Sequence, residues 1–301
     1  MNPATTNKTI PPSIYFGGCA YGVPYLIGVV KRMKMEWGND FHKHTLICGG
    51  SIGAIVALLL VIGLSADEME QVYHRIVHKA YYHGVFNHSP EHLLHEMADI
   101  LEKRNCIASE LQGKFMCSLY SIRHGHFWSK SWQCNQELLS VLRSTIFIPF
   151  YCACKDPFPL LMTLDGAYGV SGNDFPHKDH TLFIGVDQAA AEINRSMTLS
   201  EMLWPRLYTE YTLMIHSGYR TFELWDGTMK KKVGVRHPNH IMIQLFTCLK
   251  LLQIILYYKW YLWVSVVSWF DFQFVVVCLS LGVSFVSSEF SENWRQFLDF
   301  Q

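Results

Sequence analysis

The stretch that most restricts the fold is "TLICGGSIGAIVALLLV", residues 45–61. A serine stands among glycines, and an unbroken apolar run follows it. A helix that is apolar on every side belongs inside a layered core, because no face of it suits water. His44 to Cys48 is a short segment ending apolar, which reads as a buried strand. Ile52 to Gly63 reads as the helix. Gly49-Gly50-Ser51-Ile52-Gly53 fits G-x-S-x-G, in which a strained serine is presented on a sharp strand-to-helix turn. The glycines keep side chains out of the place where strand and helix converge. Ser51 would then stand at a helix N-terminus, where the dipole favours negative charge. The N–H of Ile52 would face a developing oxyanion. The plainer reading of the same residues is a Gly/Ser loop before a core helix.

The flanking segments predict an α/β protein. Ser13 to Phe16 reads as a first strand, and the turn "GGCAYG" leads into a helix over Val23 to Met35. Ser65 and Glu68 form a capping box at the start of the next helix. Along that helix Met69, Val72, Tyr73, Ile76, Val77 and Ala80 repeat at helical spacing and make one apolar face. Glu91 to Lys103 and Gln136 to Ser144 read as helices, Phe115 to Ile122 and Thr181 to Val186 as strands. Strands alternating with helices imply a mainly parallel sheet.

From residue 241 the composition changes. Ile241 to Ser288 is nearly all apolar or aromatic, with Lys250, Lys259 and Asp271 as its full charges. A bilayer span needs about 20 apolar residues, so the segment is long enough for two passes or a hairpin. Trp260, Tyr261, Trp263 and Trp269 suit a membrane interface. The other reading is a set of helices covering the core. "MKKKVGVRHP", residues 229–238, is a basic cluster on the N-terminal flank. It fits a juxtamembrane patch with the preceding chain in the cytoplasm, or a solvated linker. The expected organisation is a catalytic domain over 13–226, a basic linker over 227–240, a membrane-associating segment over 241–288 and a short polar tail over 289–301.

Charged residues make up 17% of the 301, below the usual share of about a quarter. The shortfall favours a chain that meets a membrane. Formal net charge is +0, and no basic tail draws the chain to nucleic acid. The start, "MNPATTNKTIPPS", lacks the apolar core of a signal peptide, so a reducing compartment is expected. The nine cysteines have irregular spacing and read as free thiols.

A serine nucleophile needs a base. Downstream, Asp165-Gly166-Ala167 offers a carboxylate that could take the hydroxyl proton, beside a glycine slim enough to let it approach. On its own, D-G-A also describes an ordinary turn.

Three ordered elements together resemble the patatin-like phospholipases: the turn Gly17-Gly18-Cys19-Ala20-Tyr21-Gly22, the elbow Gly49 to Gly53, and the tripeptide Asp165 to Ala167. "LRSTIFIPFY", with Pro149, resembles the family's approach to its aspartate. "SGYRT", Ser217 to Thr221, resembles a motif near the end of the adiponutrin-like domains. The likeness spans Ser13 to Trp225. It implies a three-layer fold and a Ser–Asp dyad, with Ser51 as nucleophile and Asp165 as general base. It implies an oxyanion hole of Gly18, Cys19, Ala20 and Ile52, framed by the motif glycines Gly17, Gly22, Gly49, Gly53 and Gly166. No metal or organic cofactor is implied. The implied partners are a glycerolipid or phospholipid substrate and a membrane or lipid-droplet surface. The turn departs from the family at Ala20 and Tyr21, where glycine is commoner. A turn needing positive φ at position 20 would oppose an alanine, and a catalytically weak or inactive lipid-binding scaffold is the rival expectation.

Two further readings use histidine. His74 and His78 stand at i and i+4, followed by His88, His92 and His95, without the H-E-x-x-H or cysteine pairs of zinc sites. A Ser–His–Asp triad in the order serine, acid, histidine would draw on His177, His180, His216, His237 or His240.

Overall fold

The computed structural model describes residues 8–83, 89–121, 124–148, 163–167, 170, 174–186, 188, 190–198, 205 and 208–229. The chain divides into two compact units, Met1–His237 and Pro238–Gln301. The second unit, with it the expected segments over 241–288 and 289–301, lies outside the described residues, as does nearly all of the basic linker. Among the described residues no helix is long and apolar enough to cross a membrane.

Among the described residues seven strands form one mixed sheet: β1 Ser13–Phe16, β2 Leu46–Gly50, β3 Phe115–Ser121, β4 Gly125–Ser129, β5 Thr163–Leu164, β6 Thr181–Val186 and β7 Ile193–Arg195. Their order is β4-β3-β2-β1-β6-β7, with β5 also on β3. The five strands from β3 to β7 along this path pair in parallel. β4 and β5 run antiparallel to β3. The sequence pattern therefore yields the parallel centre but not the antiparallel additions. β4 is half exposed and β5 has two residues, so neither carries a buried-strand pattern.

β2 starts and ends two residues later than expected. His44 instead closes a turn, its N–H donating to the Phe41 carbonyl. Gly49 and Gly50 stay in the strand, opposite Cys117 and Ser118 of β3.

Six helices are described: α1 Val23–Trp37, α2 Ile52–Val61, α3 Ala66–His83, α4 Ser89–Lys103, α5 Asn135–Thr145 and α6 Tyr208–Leu224. Strand side chains alternate between two cores, as a period of two requires. Ile14, Phe16, Ile47, Phe115, Cys117, Leu182 and Ile184 join the large core, to which all six helices contribute. Tyr15, Cys48 and Phe183 join a smaller core with Phe175 and Ala191, to which no described helix contributes. One helical layer of the expected three-layer arrangement is thus in view.

α2 is buried along nearly its whole length, with Leu58 and Leu60 wholly inaccessible. Truncating such a leucine to alanine costs about 2–5 kcal/mol. Gly63, at φ +84°, ends this helix. The N–H of Leu64 reaches the Leu59 carbonyl and that of Gly63 the Leu60 carbonyl, the Schellman pattern. The capping box forms: Ser65 N–H donates to Glu68, and Glu68 N–H to Ser65 Oγ at 3.2 Å.

α6 escaped the sequence reading, which saw only "SGYRT". Gly218 of that motif lets α6 press on α1: a Cβ there would lie 2.0 Å from the Tyr25 carbonyl oxygen. Tyr219 accepts a hydrogen bond from Arg32 at 2.8 Å. The motif is a helix-packing device in this fold.

Candidate active site

The sheet leaves a gap that the site fills. β2 pairs with β3 only as far as Gly50 opposite Ser118. There the chain turns away at Ser51 into α2. β5 then takes the vacated edge of β3, pairing Leu164 with Tyr120 and Thr163 with Ser121. The next residue is Asp165, which therefore arrives beside the serine turn from 114 residues further along the chain.

The Ser51 hydroxyl donates a hydrogen bond to Asp165 Oδ2. The other carboxylate oxygen accepts from the Ala167 N–H at 2.8 Å. Both residues are buried, Ser51 8% and Asp165 3% exposed. Burial disfavours the charged carboxylate and pushes its pKa up to about 7, against the two hydrogen bonds that favour charge.

Ser51 is held at φ +55°, ψ −141°. A non-glycine residue there costs on the order of 1–3 kcal/mol. The turn is held by its surroundings. Ser51 N–H donates to Thr145 Oγ1 at 2.9 Å, and Ala54 N–H donates to the Ser51 carbonyl at 2.9 Å.

The glycines are explained by contacts. A Cβ on Gly53 would lie 2.3 Å from the Phe16 carbonyl oxygen, and one on Gly49 2.5 Å from the Ala54 Cα. A Cβ on Gly166 would lie 2.0 Å from the Ser118 carbonyl oxygen. On Gly18 it would meet Ser51 Cβ at 2.9 Å and Ala167 Cβ at 2.8 Å. The glycine-rich turn therefore touches both the serine and the D-G-A tripeptide. Gly17 continues from β1, its N–H on the Ile184 carbonyl, and Gly22 N–H closes the turn on the Cys19 carbonyl at 2.7 Å. Cys19 is buried, which raises its thiol pKa.

Ala20 adopts φ +45°. The conformation that the sequence sets against an alanine is the one present, at a cost of roughly 1 kcal/mol. Ile52 opens α2, so its N–H belongs to the first-turn donors that an α-helix leaves without an intrahelical partner.

An apolar cavity of about 110 Å³ lies against Ser51. Ala20, Val56, Leu59, Val72, Leu93 and Ile146 are among its walls, drawn from the turn, α2, α3, α4 and the end of α5. Apart from Ser51 and two tyrosines, every lining side chain is hydrocarbon or nearly so. The apolar stripe on α3, read as a core face, supplies one wall.

Among the described residues, the candidate triad histidines are not brought to the serine. His177, His180 and His216 are exposed, while Ser51 and Asp165 are buried. His237 and His240 lie outside the described residues. His74 and His78 rest on tyrosine rings, with centroids 4.5 Å from Tyr211 and 4.6 Å from Tyr82. Cys19, Cys48, Cys106, Cys117 and Cys134 are free thiols.

Several polar residues around the pair were missed. Ser118 Oγ donates to the Gly166 carbonyl at 2.6 Å. His126 Nε2 lies 2.9 Å from the same hydroxyl. That hydroxyl's hydrogen is engaged, so the ring nitrogen donates. Burial holds the His126 pKa below its usual range, opposed by Asp174. Thr145 Oγ1 donates to the Ser118 carbonyl at 2.7 Å. Thr145 falls within "LRSTIFIPFY", but Ser, Thr and His are ubiquitous, and nothing in the spacing of these three assigns them partners.

No protein-family model matches the chain, and no curated protein sequence does. Among solved structures, the type III effector protein ExoU aligns with TM-score 0.41 and 12% identity, over 71% of this chain and 52% of its own. VipD from Legionella pneumophila aligns with TM-score 0.40 and 8% identity, over 72% of this chain and 67% of its own. This chain thus spans about half the length of the first. Likenesses this distant transfer no activity. The three motif elements that carry the sequence resemblance to patatin-like phospholipases nevertheless meet at one point, in the order the resemblance implies.

Proposed function

We propose that this chain is a serine acyl hydrolase acting on fatty acyl esters of glycerolipids or phospholipids. One observation carries the reading: a serine hydroxyl is bonded to a buried carboxylate, at the wall of an apolar cavity. The cavity suits a hydrocarbon chain, and the dyad stands where the ester carbonyl of such a chain would lie.

In this reading Ser51 Oγ attacks the ester carbonyl while Asp165 takes its proton. A carboxylate with a pKa near 7 is a better base than an ordinary one and is still largely ionised above neutrality. The carbonyl oxygen becomes negative and is held by N–H groups of the Gly18–Ala20 turn and of Ile52. The ester C–O bond breaks, Asp165 gives its proton to the departing alkoxide, and Ser51 is left acylated. Asp165 then takes a proton from water, the hydroxide attacks the acyl carbonyl, and the proton returns to Ser51 as the fatty acid leaves.

The test is labelling of the purified full-length chain with a fluorophosphonate probe. Wild type should label and Ser51→Ala should not. A non-catalytic lipid-binding scaffold gives no Ser51-dependent signal, and that result sinks the hydrolase.

The reading extends to location. Residues 241–288 would anchor the protein to a membrane or lipid droplet, with residues 1–240 in the cytoplasm. Support comes from the length and apolarity of the segment, its aromatic residues and the flanking Lys230-Lys231-Lys232. Asp271 costs about 2.5–3.5 kcal/mol at a bilayer centre, so it would sit at a turn or surface. Removing residues 241–301 should move the protein from the membrane to the soluble fraction and weaken hydrolysis of bilayer lipid, yet spare a small soluble ester. A full-length chain that fractionates as soluble defeats the anchor.

A further inference from the structure

Ser51 and Asp165 come from distant parts of the chain, and Thr145 is hydrogen-bonded to both of their loops. Thr145 is the last residue of α5 and is wholly buried. Its hydroxyl accepts the Ser51 N–H at 2.9 Å and donates to the Ser118 carbonyl at 2.7 Å. Its carbonyl accepts the Gly166 N–H at 2.7 Å. That carbonyl is free to do so because the last four carbonyls of an α-helix have no intrahelical partner. The Gly166 carbonyl in turn accepts from Ser118 Oγ at 2.6 Å. The two bonds tie Gly166, the residue after Asp165, to α5 and β3, and the side-chain bond ties Ser51 to the same point.

We propose that Thr145 is a positioning residue for the Ser51–Asp165 pair, its hydroxyl fixing the strained serine backbone while its carbonyl fixes the aspartate loop. The proposal rests on the hydrolase reading. Its physical basis is the conformation of Ser51. A backbone at φ +55°, ψ −141° relaxes unless its surroundings hold it. The Ser51 N–H bond is one such restraint, and it acts one bond from the Cα that carries the nucleophile. It also occupies that N–H, which is therefore no oxyanion donor, so the oxyanion falls to the Gly18–Ala20 turn and Ile52. Gly166 has no room for a side chain, since a Cβ would lie 2.3 Å from Thr145 Oγ1. The tightness of D-G-A at its glycine is thus set partly by this threonine.

The test compares Thr145→Val and Thr145→Ser in the full-length chain on a soluble p-nitrophenyl ester, well below each variant's melting temperature. Valine keeps the volume and removes both hydroxyl bonds. Serine keeps the hydroxyl and drops a methyl. Misplacing a reacting group by about 1 Å costs about 100-fold in rate. We expect Thr145→Val to lose about 10- to 100-fold in kcat with KM within about 3-fold, and Thr145→Ser to stay within about 3-fold of wild type in both. A purely structural threonine would lower the melting temperature and leave the kcat of the folded protein alone. A folded Thr145→Val with wild-type kcat overturns the proposal, and so does a Thr145→Ser as impaired as the valine variant. If the valine variant does not fold, Thr145→Cys takes its place: its thiol keeps the volume but is a weak partner for the Ser51 N–H, and a wild-type kcat again overturns the proposal. Wild-type protein with no Ser51-dependent turnover removes the hydrolase reading and this proposal together. Turnover in wild type with an indifferent Thr145 removes only the latter.

Discussion

At the crossing of α1 and α6, a Cβ on Gly28 would lie 2.0 Å from the Ile215 carbonyl oxygen, and one on Gly218 2.0 Å from that of Tyr25. At the serine turn, a Cβ on Gly166 would lie 2.0 Å from the Ser118 carbonyl oxygen, and one on Gly53 2.3 Å from that of Phe16. The same device, backbone against backbone, serves both places. Around the helix crossing the buried neighbours are apolar, with Tyr25, Leu26, Val29, Met214 and Phe222 in one core. Neither helix glycine is in a left-handed conformation. Around the serine turn, Ser51 and Ala20 both have positive φ, and a carboxylate is buried. Close approach by itself gives packing. Close approach combined with backbone strain and a buried titrating group gives a place where folding energy has been spent on geometry. The helix crossing should accordingly govern stability, and the turn should govern chemistry.

The sharpest way to break that division is Asp165→Asn. It should lower turnover by at least about 1,000-fold, a magnitude typical of losing a member of a catalytic pair, without unfolding the protein. Its stability should follow the carboxylate. The folded pKa of Asp165 lies near 7, above the ordinary 3.8. The folded chain therefore binds this proton more tightly than the unfolded one, and stability falls as pH rises from about 4 through about 7. The asparagine variant carries no such charge, so it should melt higher than wild type at pH 8 and nearly equal to it at pH 4. A variant that melts lower at pH 8 would show that the carboxylate is structural. The same titration predicts that wild-type turnover declines as pH falls through about 7, because the base form is lost. A flat profile between pH 5 and 9 would remove Asp165 as the base.

Gly28→Ala tests the other region. The added methyl meets a carbonyl oxygen, and overpacking of this kind costs about 1–3 kcal/mol. The melting temperature should drop while kcat of the folded protein stays within about 2-fold. A selective loss of kcat would mean that the helix crossing reaches the dyad after all.

The smallest expected effect sharpens the comparison at one residue. Ala20→Gly relieves a left-handed alanine but adds freedom to the unfolded chain, two terms that nearly offset. The net change should lie between about 0 and 1 kcal/mol in favour of the variant, read from chemical denaturation. A clear destabilisation would show that the alanine methyl, which lines the cavity, matters more than its backbone strain.

Much of this was legible in the sequence. The short segments Ser13 to Phe16, Phe115 to Ile122 and Thr181 to Val186 marked strands of a mainly parallel sheet. The all-apolar run after Ser51 required a central helix. The three glycine-bearing motifs marked the places where backbones meet, because only glycine tolerates those distances. What tertiary structure alone decided is how these pieces converge. β5, two residues long, fills the edge of β3 that β2 leaves, and no two-residue strand carries a periodic signal. Thr145 and Ser118 act through hydrogen bonds to distant backbone and His126 through one to the Ser118 hydroxyl, and the identity of a hydrogen-bond partner has no period and no composition. The conformation of Ala20 belongs to the same class. The residue type argued against positive φ, and the packing of a turn between a strand, a serine and an aspartate loop imposed it. A sequence records which residues prefer to be buried or bent, whereas the meeting of groups 114 positions apart is decided by the sheet that joins them.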